Sequence, residues 1–374
     1  MDYTPAQAAE HAPARNAPDN PLAGHIRGLI AQAGGWLSFD RFMQQALYAP
    51  GMGYYANALR KFGAMPQSGS DFVTAPELSP LFGQVLAAQV QEALEATGTD
   101  EVWEFGAGSG ALAAQLLQHL GARLRRYTIV DVSGALRARQ QQTLARFGER
   151  VAWAERLPER MRAVVLGNEV LDAMPVRLLQ RSNGRWHERG VALQDDAFVW
   201  SDRPSVLRPP AEVAGEHDYL TEIHPQAEGF MRTLAQHLQQ GAAFFIDYGF
   251  PEAEYYHPQR DQGTLVCHRA HRVDAEPLQD VGLKDITAHL NFTGLALAAQ
   301  EAGLQVLGYT SQAHFLMNNG FLSNLEQLTQ VQQAPALKLV LEHEMGELFK
   351  VLALGAGPAW QPRGFAAGER SHRL

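Results

Sequence analysis

The spacing of hydrophobic positions along the 374-residue chain changes more than once. From Pro21, the apolar residues Leu22, Ile26, Leu29 and Ile30 recur at helical intervals, and "FDRFMQQALYAPGMGYYA" continues as a helix closed by Pro50 and Gly51. The following "KFGAMPQSGSDFVTAPELSPLFG" is too rich in Gly, Ser and Pro for regular structure, and so long an irregular stretch in a compact protein is usually functional or mobile. Residues 81–96 return to helix. Short apolar runs then alternate with helices: "EVWEFG", a helix over 111–120, "RYTIVDV", a helix over 134–147, "VAWAE" and "AVVLGNEV". This alternation predicts a doubly wound α/β sheet.

Beyond it the period drops to two. "VRLLQRSNGRWHERGVAL" places two alternating strands around Asn183-Gly184, the strongest short hairpin signal, and "AFVWSD" supplies a third strand. A helix over about 225–240, "AAFFIDYG" as a fifth sheet strand, a polar excursion at 251–284, a helix near 292–302, "LQVLGYT", two further helices and "FKVLALG" complete the pattern. The expected organisation is a disordered tail (1–20), an N-terminal helical region with a capping loop (21–100), the first part of an α/β core (101–175), a β insertion (176–224), the second part of the core with C-terminal helices (225–362) and a loose tail (363–374).

Composition narrows the class. A formal charge of −9 disfavours nucleic acid as the main partner, and no run approaches the roughly 20 apolar residues of a membrane helix. The first twenty residues carry Asp2, Glu10 and Asp19 without an apolar h-region, so a soluble, cytoplasmic protein, bacterial in its Ala-rich and Lys-poor composition, is expected. The single cysteine, Cys267, excludes an internal disulfide and a thiolate zinc cluster, and "CHRAH", with His268 and His271, lacks further matched ligands nearby; no metal is expected. Nothing in the composition sets the oligomeric state.

The chemistry concentrates in "WEFGAGSGAL". Gly106, Gly108 and Gly110, at a strand-to-helix turn, let the backbone bend sharply and let a ligand lie against it. With Ala111 following and Asp131 about 20 residues on to hold ribose hydroxyls, the same residues satisfy a dinucleotide pattern. Glu104, suited to the cationic methionine end of S-adenosylmethionine, and the acidic "GNEVLDAMP" after the fourth strand favour that cofactor over NAD(P). Asn168 and Glu169, leaving that strand, are placed to orient a nucleophile's N–H groups. Asp172 is read as sharing a helical-turn face with Glu169, or else as capping a short helix.

Several blocks together resemble the MidA-type class I S-adenosylmethionine-dependent methyltransferases, a family that includes the mitochondrial complex I assembly arginine methyltransferase. They are "SDFVTAPELSPLFG", "EFGAGSGAL", "NEVLDAMPV", "IDYG", "DITAHLNF" and, near the end, "FKVLALG"; Ser70 stands where the family usually has Gly. The resemblance implies a class I, Rossmann-like fold, S-adenosylmethionine as cofactor, and methyl transfer to an arginine of a partner protein, with a respiratory-complex subunit as one such partner. It also implies that the segment carrying Asp71, Thr74 and Glu77 folds over the cofactor mouth. From the residues alone Thr74 reads equally as a helix N-cap, with Pro76 and Glu77 in the first turn. Asp247 in "IDYG" reads either as a substrate contact or as a buried turn hydrogen bond. His289 reads as a base or as a structural residue, and Asp285 and Thr287 accompany it. A cofactor-binding docking module without turnover is the reading of a different class, and an NAD(P) oxidoreductase a further one.

Overall fold

The computed structural model describes residues 16, 20–57, 73–269 and 272–374. The chain divides into two compact units, one of residues 1–60, 172–227 and 250–291 and the other of residues 61–171, 228–249 and 292–374.

The second unit is built on a mixed sheet. Its strands are β1 (Glu101–Phe105), β2 (Arg126–Val130), β3 (Val151–Ala154), β4 (Met161–Asn168), β5 (Leu238–Phe250), β6 (Gln305–Ser311) and β7 (Phe349–Ala356). They lie in the order β6-β7-β5-β4-β1-β2-β3. β1 to β5 pair in parallel, while β7 runs antiparallel to both β5 and β6. The strand order reverses between β1 and β4, where Phe105 pairs with Gly167, and open α/β sheets bind ligands at the carboxyl ends beside such a reversal. Every residue of β7 is buried, and "FKVLALG" reads as a near-continuous apolar run because both faces are covered. One core holds the unit together: Val102, Val164, Phe244 and Val351 from the sheet pack with Leu86, Val90, Leu112 and Leu116 from the helices Leu81–Thr97 and Ala111–Leu120.

The first unit contains an antiparallel sheet. Arg177–Ser182 and Arg185–Gln194 form the expected hairpin, with Asn183 (φ 50°) and Gly184 (φ 70°) both left-handed at the turn, and Ala197–Pro204 adds the third strand. The domain boundaries need correction. Trp36–Ser38, expected within a helical region, is a strand that pairs with residues 190–192, and the stretch 250–291, expected as core, belongs to this unit and carries a three-stranded sheet of its own. Asn16, placed in the disordered tail, is buried and bonds Leu278 O and Val281 N. The rest of that tail is described only from Asn20, which caps the Pro21–Gln32 helix.

The C-terminal tail, expected to be loose, is packed. Phe365 is buried against Phe315, and the Arg370 guanidinium pairs with Glu347. Its Gly and Ala content disguised two good anchors.

Candidate active site

At the end of β1 the backbone turns left-handed three times, at Gly106 (φ 61°), Gly108 (φ 52°) and Gly110 (φ 82°). Any other residue at position 106 would be strained: a Cβ there would lie 2.9 Å from Val170 Cγ2 in the turn after β4, and the φ of 61° favours glycine. This near-contact also shows that the glycine loop and the acidic turn adjoin. Gly110 occupies the N-cap of the Ala111–Leu120 helix, whose first N–H groups are unpaired donors at the positive end of the helix dipole.

Asp131 follows β2. Its Oδ1 accepts from Ser133 N (2.9 Å) and its Oδ2 from Gln140 Nε2 (2.7 Å). Burial raises its pKa, and these two hydrogen bonds oppose that rise by favouring the charged form. Two second-rank residues here escaped the sequence reading. Gln140 also donates to Gly108 O (3.1 Å), and Thr143 Oγ1 donates to Ser109 O (2.9 Å), so the Gly134–Leu144 helix grips the glycine loop from the side. Glu104 lies buried beneath the loop, where its Oε2 accepts from the Tyr127 hydroxyl (2.7 Å), and burial pushes its pKa up to about 8. An ammonium group brought beside it would draw that value back down.

The turn after β4 holds Glu169 at φ 54°, a left-handed conformation that a non-glycine residue adopts at a cost of about 1–3 kcal/mol. Several bonds impose it. Glu169 N donates to Ile246 O (2.9 Å), Asp247 Oδ2 accepts from Val170 N (3.1 Å) and Leu171 N (2.9 Å), and Asp247 Oδ1 accepts from Tyr248 N (2.9 Å). Of the two readings of Asp247, the structure therefore shows the turn hydrogen bond. The Glu169 carboxylate accepts from Asn168 Nδ2 (2.9 Å) and, at longer range, from Ala75 N (3.4 Å). Burial, then the neighbouring Asp247 charge, push its pKa up to about 8. Asn168 Oδ1 is buried with no hydrogen-bond partner among the described residues, leaving an acceptor available for a donor N–H.

The described part of the capping segment belongs to this site. Thr74 is at the N-cap position of the short helix Ala75–Leu78 but makes no side-chain cap bond; its carbonyl accepts instead from Glu77 N and Leu78 N. Pro76 O accepts from Gln115 Nε2 (2.8 Å), and Glu77 stands 3.9 Å from the Arg139 guanidinium and close enough to Glu169 to raise its pKa. Asp71 and Ser70 lie outside the described residues, as does His271.

Asp172 and His289 belong to the first unit. The expected helical-turn face shared by Glu169 and Asp172 is not formed, because the positive φ at Glu169 breaks the helical path and no helix opens there. Asp172 is buried and its carbonyl accepts from Ala288 N (3.0 Å). His289 is tied through its backbone: its N donates to Thr264 Oγ1 (3.0 Å), its carbonyl bonds the His224 ring at 2.8 Å, and its ring lies against Phe250. Asp285 accepts the Tyr55 hydroxyl on both carboxylate oxygens, at 2.9 and 2.8 Å.

A parallel sheet with an antiparallel strand between β5 and β6, a glycine loop after β1 and an acidic residue after β2 define a class I S-adenosylmethionine-dependent methyltransferase. The left-handed loop leaves room for a ligand against bare backbone, and the Asp131 carboxylate keeps acceptor capacity for hydroxyl donors, so the residues present fit that cofactor. The chain belongs to the family described as S-adenosyl-L-methionine-dependent methyltransferases, whose model matches residues 85–310, more than half its length. A protein from Burkholderia thailandensis, crystallised with S-adenosylhomocysteine, is 49% identical and superimposes with a TM-score of 0.91 over 97% of this chain and 100% of that one. Among curated relatives, the mitochondrial protein arginine methyltransferase NDUFAF7 of Homo sapiens is 28% identical over 91% of this chain and 85% of its own. That of Danio rerio is 26% identical over 86% and 84%.

Proposed function

We propose that this methyltransferase acts on an arginine side chain of a partner protein. The observation that carries the reading is Glu169, a half-buried carboxylate held in a strained backbone beside the glycine loop, with Asn168 and Asp247 fixing its place. The relatives named as protein arginine methyltransferases support the same substrate class. S-adenosylmethionine supplies an electrophilic methyl group, and the transfer is an in-line displacement that depends chiefly on alignment. A guanidinium is protonated at any working pH, so its nitrogen becomes nucleophilic only as a carboxylate takes up the proton it sheds. With a pKa of about 8 in the ligand-free chain, Glu169 gives up its proton when a guanidinium is brought beside it and takes one back as the methylated nitrogen sheds its own. Asn168 Oδ1 accepts a second N–H and sets the guanidinium plane. As the C–N bond forms and the C–S bond breaks, the sulfur leaves as a neutral thioether and the arginine nitrogen's proton passes to Glu169.

A respiratory-complex subunit as the partner and a cytoplasmic site of action are parts of this proposal; among the described residues no helix is long and apolar enough to cross a membrane. The test is incubation with methyl-labelled S-adenosylmethionine and cell extract, with the label mapped by mass spectrometry. Label on arginine supports the reading. Label confined to lysine, carboxyl groups or a small molecule overturns it, and absence of label from every extract favours a docking module.

A further inference from the structure

The Gly134–Leu144 helix turns most of its surface to solvent; Gln140 and Leu144 are its buried residues, and Gln140 is fully buried. A glutamine is an expensive residue to bury unless its amide is satisfied. Here both donors and the acceptor are used. Nε2 donates to Gly108 O (3.1 Å) and to Asp131 Oδ2 (2.7 Å), while Oε1 accepts from the Trp153 indole N–H (3.0 Å). The indole, a donor only, fixes which end of the amide is oxygen, so the NH₂ group must face the loop and the carboxylate. One side chain thus joins the segments leaving β1 and β2 to β3 itself.

We propose that Gln140 is a positioning residue for the nucleoside half of the cofactor: it locks the Asp131 carboxylate in register with the glycine loop, so that ribose hydroxyls meet an acceptor already oriented. The inference rests on the cofactor assignment above and is independent of the methyl acceptor. Ser133 N holds the other oxygen of Asp131, so the carboxylate is pinned at both atoms, with one acceptor position left on each. Without Gln140, the carboxylate keeps only its bond from Ser133 N, and binding of the ribose hydroxyls then has to order it. An acidic residue at position 140 would be worse, since it would set a second carboxylate against Asp131.

The experiment is a double cycle by titration calorimetry on the full chain, using S-adenosylhomocysteine and its 2′,3′-dideoxyribose analogue. The wild type is expected to prefer the hydroxylated ligand. Gln140→Leu should weaken S-adenosylhomocysteine about tenfold while changing the dideoxy analogue less than twofold, and Gln140→Glu should weaken the hydroxylated ligand further. Equal loss for both ligands would reduce Gln140 to a packing role and overturn the proposal, as would no loss for either. Trp153→Phe, which removes the indole bond to Oε1 together with part of a ring packed on the core, should show the same selective loss at about threefold; this variant decides the matter if both Gln140 variants lose their cooperative thermal transition. Failure of the wild type to bind S-adenosylhomocysteine would instead sink the cofactor site itself, whereas binding without arginine methylation leaves this inference intact.

Discussion

The glycine loop after β1 and the acidic turn after β4 leave neighbouring strands at the same sheet edge, and both pass through left-handed backbone. They reach it by opposite means. The loop does so with residues that pay no steric penalty, so its shape is written into the sequence three times over. The turn does so with Glu169, and is held there by the Asp247 carboxylate, the Ile246 carbonyl and the next residues' N–H groups. A ligand that lies on backbone needs absence of side chain; a reaction that needs a carboxylate must carry one even where glycine would be easier.

Four outcomes would break or sharpen that contrast. Gly106→Val should have the largest effect, because the added Cβ meets Val170 Cγ2 at 2.9 Å and valine is strained at φ 61°. Binding of S-adenosylhomocysteine should become undetectable by calorimetry. Retained affinity would remove the loop from the cofactor site. Glu169→Gln should leave that affinity within about threefold while turnover falls by about 10²-fold or more, the usual range for a residue in general acid–base work. Parallel loss of both would place Glu169 in the cofactor shell.

Asp247→Ala strips the acceptor from three backbone N–H groups and should cost about 3–5 kcal/mol of stability in denaturant titrations, given roughly 1.5–3 kcal/mol for each hydrogen bond to a charged group and incomplete additivity. A change under 1 kcal/mol would mean that the turn holds itself. The last outcome concerns pH. Glu104 and Glu169 both titrate near 8 in the folded chain against 4.5 ordinarily, so the folded form binds more protons than the unfolded one between those values and stability falls as pH rises through that window. The ligand-free melting temperature should drop from pH 5 to pH 9, and Glu104→Gln and Glu169→Gln should each flatten the slope. A melting temperature that rises over that range would contradict the protonated state of both carboxyls.

What the sequence disclosed follows the same division. β1 to β5, the hairpin at Asn183-Gly184 and the glycine loop were legible because each is announced by periodicity or by a residue type with few other uses. Gln140 was not: it stands first in "QQQ", and only the fold separates it from the exposed Gln141 and Gln142. Asp247 was half legible, since an aspartate at a strand end serves a turn or a substrate with the same atoms. The helical tie between Glu169 and Asp172 failed because a spacing of three residues presumes a helix, and one positive φ cancels it. Trp36–Ser38 is too short to show a period of its own and is a strand only because residues 190–192 receive it.

That last pairing bears on how the chain is made. Trp36 waits for Ala192, and the unit to which both belong closes only with residues 250–291, after stretches of the other unit have been synthesised in between. At a synthesis rate of about 5–20 residues per second, the early strand emerges many seconds before its partner and must remain unpaired meanwhile. Neither unit corresponds to a continuous stretch of chain, so a deletion aimed at one removes part of the other or leaves its segments unjoined. Long-range pairing of this kind slows folding and exposes strand edges, which makes the nascent chain, more than the finished enzyme, the form in need of chaperones.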